Sequence, residues 1–176
     1  MDFIVKLPIS HGYGSILVVC NRLTCASHFI PCNESMTASE LAWLFIDRIF
    51  HYHGLPNSII SYCRSLFISK FWKSLTTHLS IDLRHSTAYH PRTDGLTEGT
   101  NQTLGTYIRT YCSYQQDDWV DYLPLSEFVF NSAENASTKQ TLFFANVGYS
   151  PRNSLTSLLS LLLMSLLNDL TTYTRS

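Results

Sequence analysis

This 176-residue chain has no C-x-x-C pair, no excess of basic residues, no internal repeat and no Pro/Gly/Ser-rich linker. It also lacks any apolar run of the roughly 20 residues that a membrane-spanning helix needs. Its densest apolar stretch, residues 155–167, is a Leu/Ser run of 13 residues. That run suits a terminal helix docked on a core, or a frameshifted end, rather than a membrane span. The cysteines are spread as Cys20, Cys25, Cys32, Cys63 and Cys112. Cys20, Cys25 and Cys32, with His28 between them, match no structural-zinc template, and no signal peptide precedes them, so reduced thiols in an intracellular compartment are expected. A formal net charge of −1, with 14% charged residues, supplies no basic stripe for autonomous nucleic-acid binding, and any DNA contact has to be local or shared. With 45% hydrophobic and 13% aromatic residues, the chain is long enough for one sizeable core and too short for two full domains.

What is present reads as strands and helices in alternation. Residues 1–7 alternate as a strand, and residues 15–20 form a compact apolar run bounded by Gly12 and Gly14, so the two read as a hairpin. Residues 28–32 supply a third strand, with Pro31 marking its end. Thr37 and Glu40 have the spacing of a capping box, after which Leu41, Leu44, Phe45, Ile49 and Tyr52 recur at helical intervals until Gly54 and Pro56. His51 and His53, two apart, do not share a helical face and read as structural or surface residues. A short strand at 58–61, a helix at 71–79 and a strand at 81–84 follow. The segment H-S-T-A-Y-H-P-R-T-D-G-L-T-E-G-T-N-Q, residues 85–102, is a polar loop marked by Pro91, Asp94 and Gly95, running into a helix over 97–111 that carries Glu98. A further helix spans 117–131, in which Trp119, Leu123, Phe128 and Phe130 read as packing residues.

Residues 85–102 resemble the third-carboxylate segment of gypsy-type LTR retrotransposon integrases, close to S-T-A-Y-H-P-x-T-D-G-x-T-E-x-x-N-Q. The opening resembles that family's M-D-F-I-x-x-L-P and I-L-V-V-x-D-R-L-T-K-x-x-H-F-I-P segments, and residues 117–131 its D-D-W-x-x-L-L-P-L-A-E-F-x-Y-N helix. The resemblance covers residues 1–152 and implies an integrase catalytic core there. Residues 153–176 form an unrelated Leu/Ser-rich tail. The implied fold is α/β and RNase H-like, a mixed five-stranded sheet flanked by helices. The implied chemistry is phosphodiester transfer by two Mg2+ or Mn2+ ions held on three carboxylates, which are hard oxygen ligands.

By the resemblance, Asp2 and Glu98 are the first and third of those carboxylates. The second is absent: where the family has Ser-Asp-Arg-Gly-Ser, residues 61–65 read S-Y-C-R-S. The register holds, because 35 residues lie between Tyr62 and Glu98, the family's characteristic interval. Metal binding is therefore expected to be weakened or lost, and strand transfer negligible. Asn21, Gly99, Arg64, Lys139 and Leu142 also depart from the family's Asp, Arg, Gly, Gly and Pro. Tyr89, His90, Arg92 and Asn101, beside Glu98, are the implied DNA-facing residues. The implied partners are DNA and either a second copy or an intact integrase, with no membrane, and the implied setting is the nucleus. The alternatives are a non-catalytic dimerisation or DNA-binding module, an RNase H-like nuclease disfavoured by the same gap, and a remnant without a role.

Overall fold

The computed structural model describes residues 1–61, 65–85 and 91–151, and for His85 and residues 91–94 it describes the backbone alone. Tyr62, Tyr89, His90 and the tail at 153–176 lie outside the described residues. Two compact units divide the chain, Met1–Asn131 and Ser132–Ser176. Among the described residues no helix is long and apolar enough to cross a membrane.

In the first unit, β1 (Asp2–Ile4), β2 (Ser15–Cys20) and β3 (Ser27–Cys32) form an antiparallel ladder in that order. A second ladder pairs β4 (Ser58–Ser61) in parallel with β5 (Asp82–His85). Among the described residues five strands of mixed sense are thus present, as the resemblance implied, hydrogen-bonded as three and two. The Met1 ammonium donates to the Ile60 carbonyl at 2.7 Å, which sets the start of β1 beside the end of β4.

Strand register sorts the side chains onto two faces. Phe3, Leu17 and Ile30 lie abreast and join a core with Leu41, Phe45, Phe67 and Trp72. Asp2, Val18 and Phe29 lie abreast one position over, and Val18 and Phe29 join a second core with Leu104, Ile108, Trp119 and Leu123. Each large apolar side chain so buried stabilises the fold by about 1.5–3 kcal/mol. A slip of one residue would exchange the faces of Asp2 and Phe3 and put the carboxylate into the core that Phe3 fills, so burial of Phe3 fixes where Asp2 points.

The helices around these cores are α1 (Ala38–Phe45), α2 (His51–His53), α3 (Ser65–Ile68), α4 (Lys70–His78), α5 (Pro91–Tyr111) and α6 (Trp119–Ser132). The expected capping box is formed: Thr37 Oγ1 accepts from the Glu40 N–H at 3.3 Å and Glu40 Oε2 accepts from the Thr37 N–H at 2.7 Å. Between α1 and α2 runs a π-helical turn, Ile46–Phe50, in which the His51 N–H reaches back to the Ile46 carbonyl. Helix α5 begins six residues before the sequence reading placed it. Proline suits the first helical position, since its φ is already helical and the N–H it lacks would have no partner there, so Pro91 opens the helix instead of marking a loop.

Helix α6 closes the outer edge of β3. Asn131 Oδ1 accepts from the Ser27 N–H at 2.9 Å and its Nδ2 donates to the Ser27 carbonyl at 2.8 Å. Glu127 Oε2 accepts from the Phe29 N–H at 2.8 Å. Residues 27, 29 and 31 share the outward side of the strand, about 6.8 Å per pair, and Glu127 and Asn131 are about 6 Å apart along the helix, so the two repeats match. The third outward position is Pro31, which has no N–H to satisfy. Pro31 therefore sits within β3 rather than ending it, where an edge strand tolerates proline.

In the second unit, α7 (Leu142–Val147) is capped by Thr141, whose Oγ1 accepts from the Phe144 N–H at 3.1 Å, and stopped by Gly148 at a φ of 80°. Lys139, in the slot where the resemblance has glycine, holds a φ of 56°. A side chain in this left-handed region costs about 1–2 kcal/mol, which is the physical reason glycine suits the position.

Candidate functional site

Asp2 sits half-buried on β1, on the sheet face that α5 covers. Helix α5 is held to that face by Leu104 and Ile108 and by Thr100, whose Oγ1 accepts from Cys20 Sγ at 3.6 Å and donates to the Leu96 carbonyl at 2.9 Å. Docked this way, α5 brings Asn101 to Asp2: Asn101 Nδ2 donates to Asp2 Oδ2 at 2.9 Å. A carboxylate only accepts, so this contact fixes the amide's orientation and turns its Oδ1 the other way. Asn101 Oδ1 is buried and finds no partner among the described residues.

Glu98 lies three residues before Asn101, so the two share a face of α5 about 4.5 Å apart along its axis. Its side chain is exposed. The helix thereby carries Glu98 one turn from the amide that touches Asp2. Ser61, the last residue of β4 and the one before Tyr62, is buried with its Oγ unpartnered among the described residues. Tyr62 itself, Tyr89 and His90 fall outside the described residues. Arg92 is on the first turn of α5, and its side chain is likewise outside them.

The described donors here are carboxylate and amide oxygens, the ligand type that Mg2+ and Mn2+ take. Asp2 and Glu98 are of that ligand type, and the Asn101 amide oxygen is turned away from Asp2. Among the described residues no group of three His, Cys, Asp or Glu side chains is placed to hold a metal. Asn101, read from the sequence as a DNA-facing residue, gives one of its two amide N–H donors to Asp2. That bond spans 99 residues, and no local pattern announces it.

No protein-family model matches the chain. The Tf2-3 transposon polyprotein of Schizosaccharomyces pombe is 37% identical over 151 residues, which is 86% of this chain and 11% of the polyprotein. The Tf2-4 polyprotein of the same yeast matches equally. The chain thus spans about a tenth of the length of these relatives. Among solved structures, the simian T-cell lymphotropic virus intasome in complex with a PP2A regulatory subunit superposes with a TM-score of 0.68 at 19% identity, over 86% of this chain and 54% of that one. The magnesium complex of the HTLV-2 integrase catalytic core domain, in its trimeric form, gives 0.63 at 18%, over 82% and 93%. The BIV integrase catalytic core domain gives 0.61 at 17%, over 84% and 93%.

Proposed function

Because this chain belongs to the retrotransposon integrase catalytic-core family and has its RNase H-like fold, we propose that it is a core segment that associates with DNA and with other integrase chains while transferring strands negligibly. The observation that supports this reading is the Asn101–Asp2 bond, made one turn of α5 from Glu98, in a chain that has Tyr62 where the resemblance has its second carboxylate. Asp2 and Glu98 are the metal-holding carboxylates of the proposed site, and Tyr89, His90 and Arg92 are its DNA-facing residues.

Electrostatics decides against efficient chemistry. A bound pair of divalent cations would supply activation of the attacking oxygen and stabilisation of the leaving one. Two such ions about 4 Å apart repel by roughly 17 kcal/mol at an effective dielectric near 20. The pocket must place negative charge around both. Asp2 and Glu98 supply two carboxylates, and Tyr62, with a reference pKa of about 10, is neutral at pH 7 and a poor ligand for Mg2+. A loss of even about 4 kcal/mol of transition-state stabilisation slows a reaction by about a thousandfold.

The test is strand transfer on a DNA substrate with Mg2+ or Mn2+, comparing the native chain with Tyr62→Asp. The native chain is expected to give a negligible rate and the variant a gain. Equal rates would overturn the reading. In the cell, a nuclear location and pairing with a second copy or an intact integrase complete the proposal.

A further inference from the structure

A second cluster of metal-ligating side chains lies away from Asp2 and Glu98. His28, on β3, has Nδ1 at 2.9 Å from Glu127 Oε1 and Nε2 at 2.8 Å from His53 Nε2. The two imidazole rings are 5.0 Å apart at 47°. Glu127 is held in turn, because its other oxygen accepts the Phe29 N–H. We infer that His28 and His53 form a binding site for a borderline divalent metal ion such as Zn2+, with Glu127 as the outer carboxylate that orients His28.

The protons follow from the partners. Glu127 can only accept, so the hydrogen of a neutral His28 sits on Nδ1 and the lone pair of its Nε2 points at His53. His53 aims its own Nε2 at the same point. One of two facing nitrogens must donate while they touch, whereas a cation between them takes both lone pairs, His53 carrying its proton on Nδ1 instead. Zn–N bonds of about 2.0–2.1 Å in tetrahedral geometry need the nitrogens about 3.3 Å apart, so the rings have to open by roughly 0.5 Å. His53 is exposed at the end of a short helix, next to Gly54 at a φ of 72°, and it is free to give that distance. A ligating histidine whose second nitrogen binds a carboxylate is the usual outer arrangement of zinc sites.

Among the described residues no third His, Cys, Asp or Glu completes the set, so the remaining positions go to water or to an incoming ligand. Imidazole nitrogens select Zn2+, Cu2+ or Ni2+ over Mg2+, which separates this site chemically from Asp2 and Glu98.

The experiment is a Zn2+ titration of the full chain at neutral pH, followed by calorimetry and by the histidine ring resonances. Expected is one Zn2+ per chain that shifts the His28 and His53 rings. Binding should disappear in His28→Gln and in His53→Gln, weaken by about 10–100-fold in Glu127→Gln, and persist in Glu98→Gln. His53→Gln, at an exposed position, carries the test should His28→Gln fail to fold. Zn2+ that leaves both rings unshifted, that still binds His53→Gln, or that is displaced by replacing the cysteines with serine overturns the inference.

Discussion

Asn101 carries two opposed energies in one side chain. Its Nδ2 makes a charge-assisted bond to Asp2, worth about 1.5–3 kcal/mol and less here because Asp2 is only half-buried. Its Oδ1 is buried without a partner, which costs about 1–3 kcal/mol. The two terms nearly offset, so Asn101→Ala is expected to change stability by less than about 1 kcal/mol, measured as the urea midpoint with an unchanged slope. A loss well above that would mean the amide oxygen is satisfied. The same residue limits what a motif can reveal. The spacing of Glu98 and Asn101 on one helix was legible, since it is local. That the amide serves Asp2 was not, because the contact depends on α5 lying on the face of the sheet that carries residue 2.

At the scale of elements, α6 does two jobs along one stripe. Trp119 and Leu123 are buried on the sheet, and one and two turns later Glu127 and Asn131 reach its edge. Asn131 satisfies both backbone polar groups of Ser27, which is fully buried. Replacing it strands a buried donor and a buried acceptor, each costing about 1–3 kcal/mol. Asn131→Ala is therefore expected to destabilise the chain by about 2–4 kcal/mol in urea unfolding. It is also expected to promote association through the uncovered strand edge, read by light scattering. A change below about 0.5 kcal/mol would contradict this account of the edge. The sequence showed Asn131 as a motif position and α6 as a helix. It did not show the match between helical and strand repeats, which exists only once the two elements lie side by side.

For the whole molecule the governing quantity is the number of cations the proposed pocket can hold. In the proposed reading Asp2 and Glu98 serve one, and Tyr62 brings no charge to offset a second. Calorimetric titration of Mg2+ or Mn2+ is expected to give one site in the native chain and two in Tyr62→Asp. Two sites in the native chain would require another ligand. The zinc inference is independent of this result, since its donors are nitrogens on β3 and α2.

The sequence by itself determined the family, the strand and helix order and the capping box at Thr37, because each is written in local spacing or in an aligned motif. It misplaced the start of α5, where Pro91 suits a helix's first position, while the third strand ends at Cys32 as read, with Pro31 inside it on the outer edge. Only the tertiary structure decided that Asp2 meets Asn101, that Asn131 covers Ser27 and that His28 meets His53. Those contacts join residues 99, 104 and 25 positions apart. Such pairs are set by which faces of the sheet and helices bury together, and that is a property of packing that no run of neighbouring residues encodes.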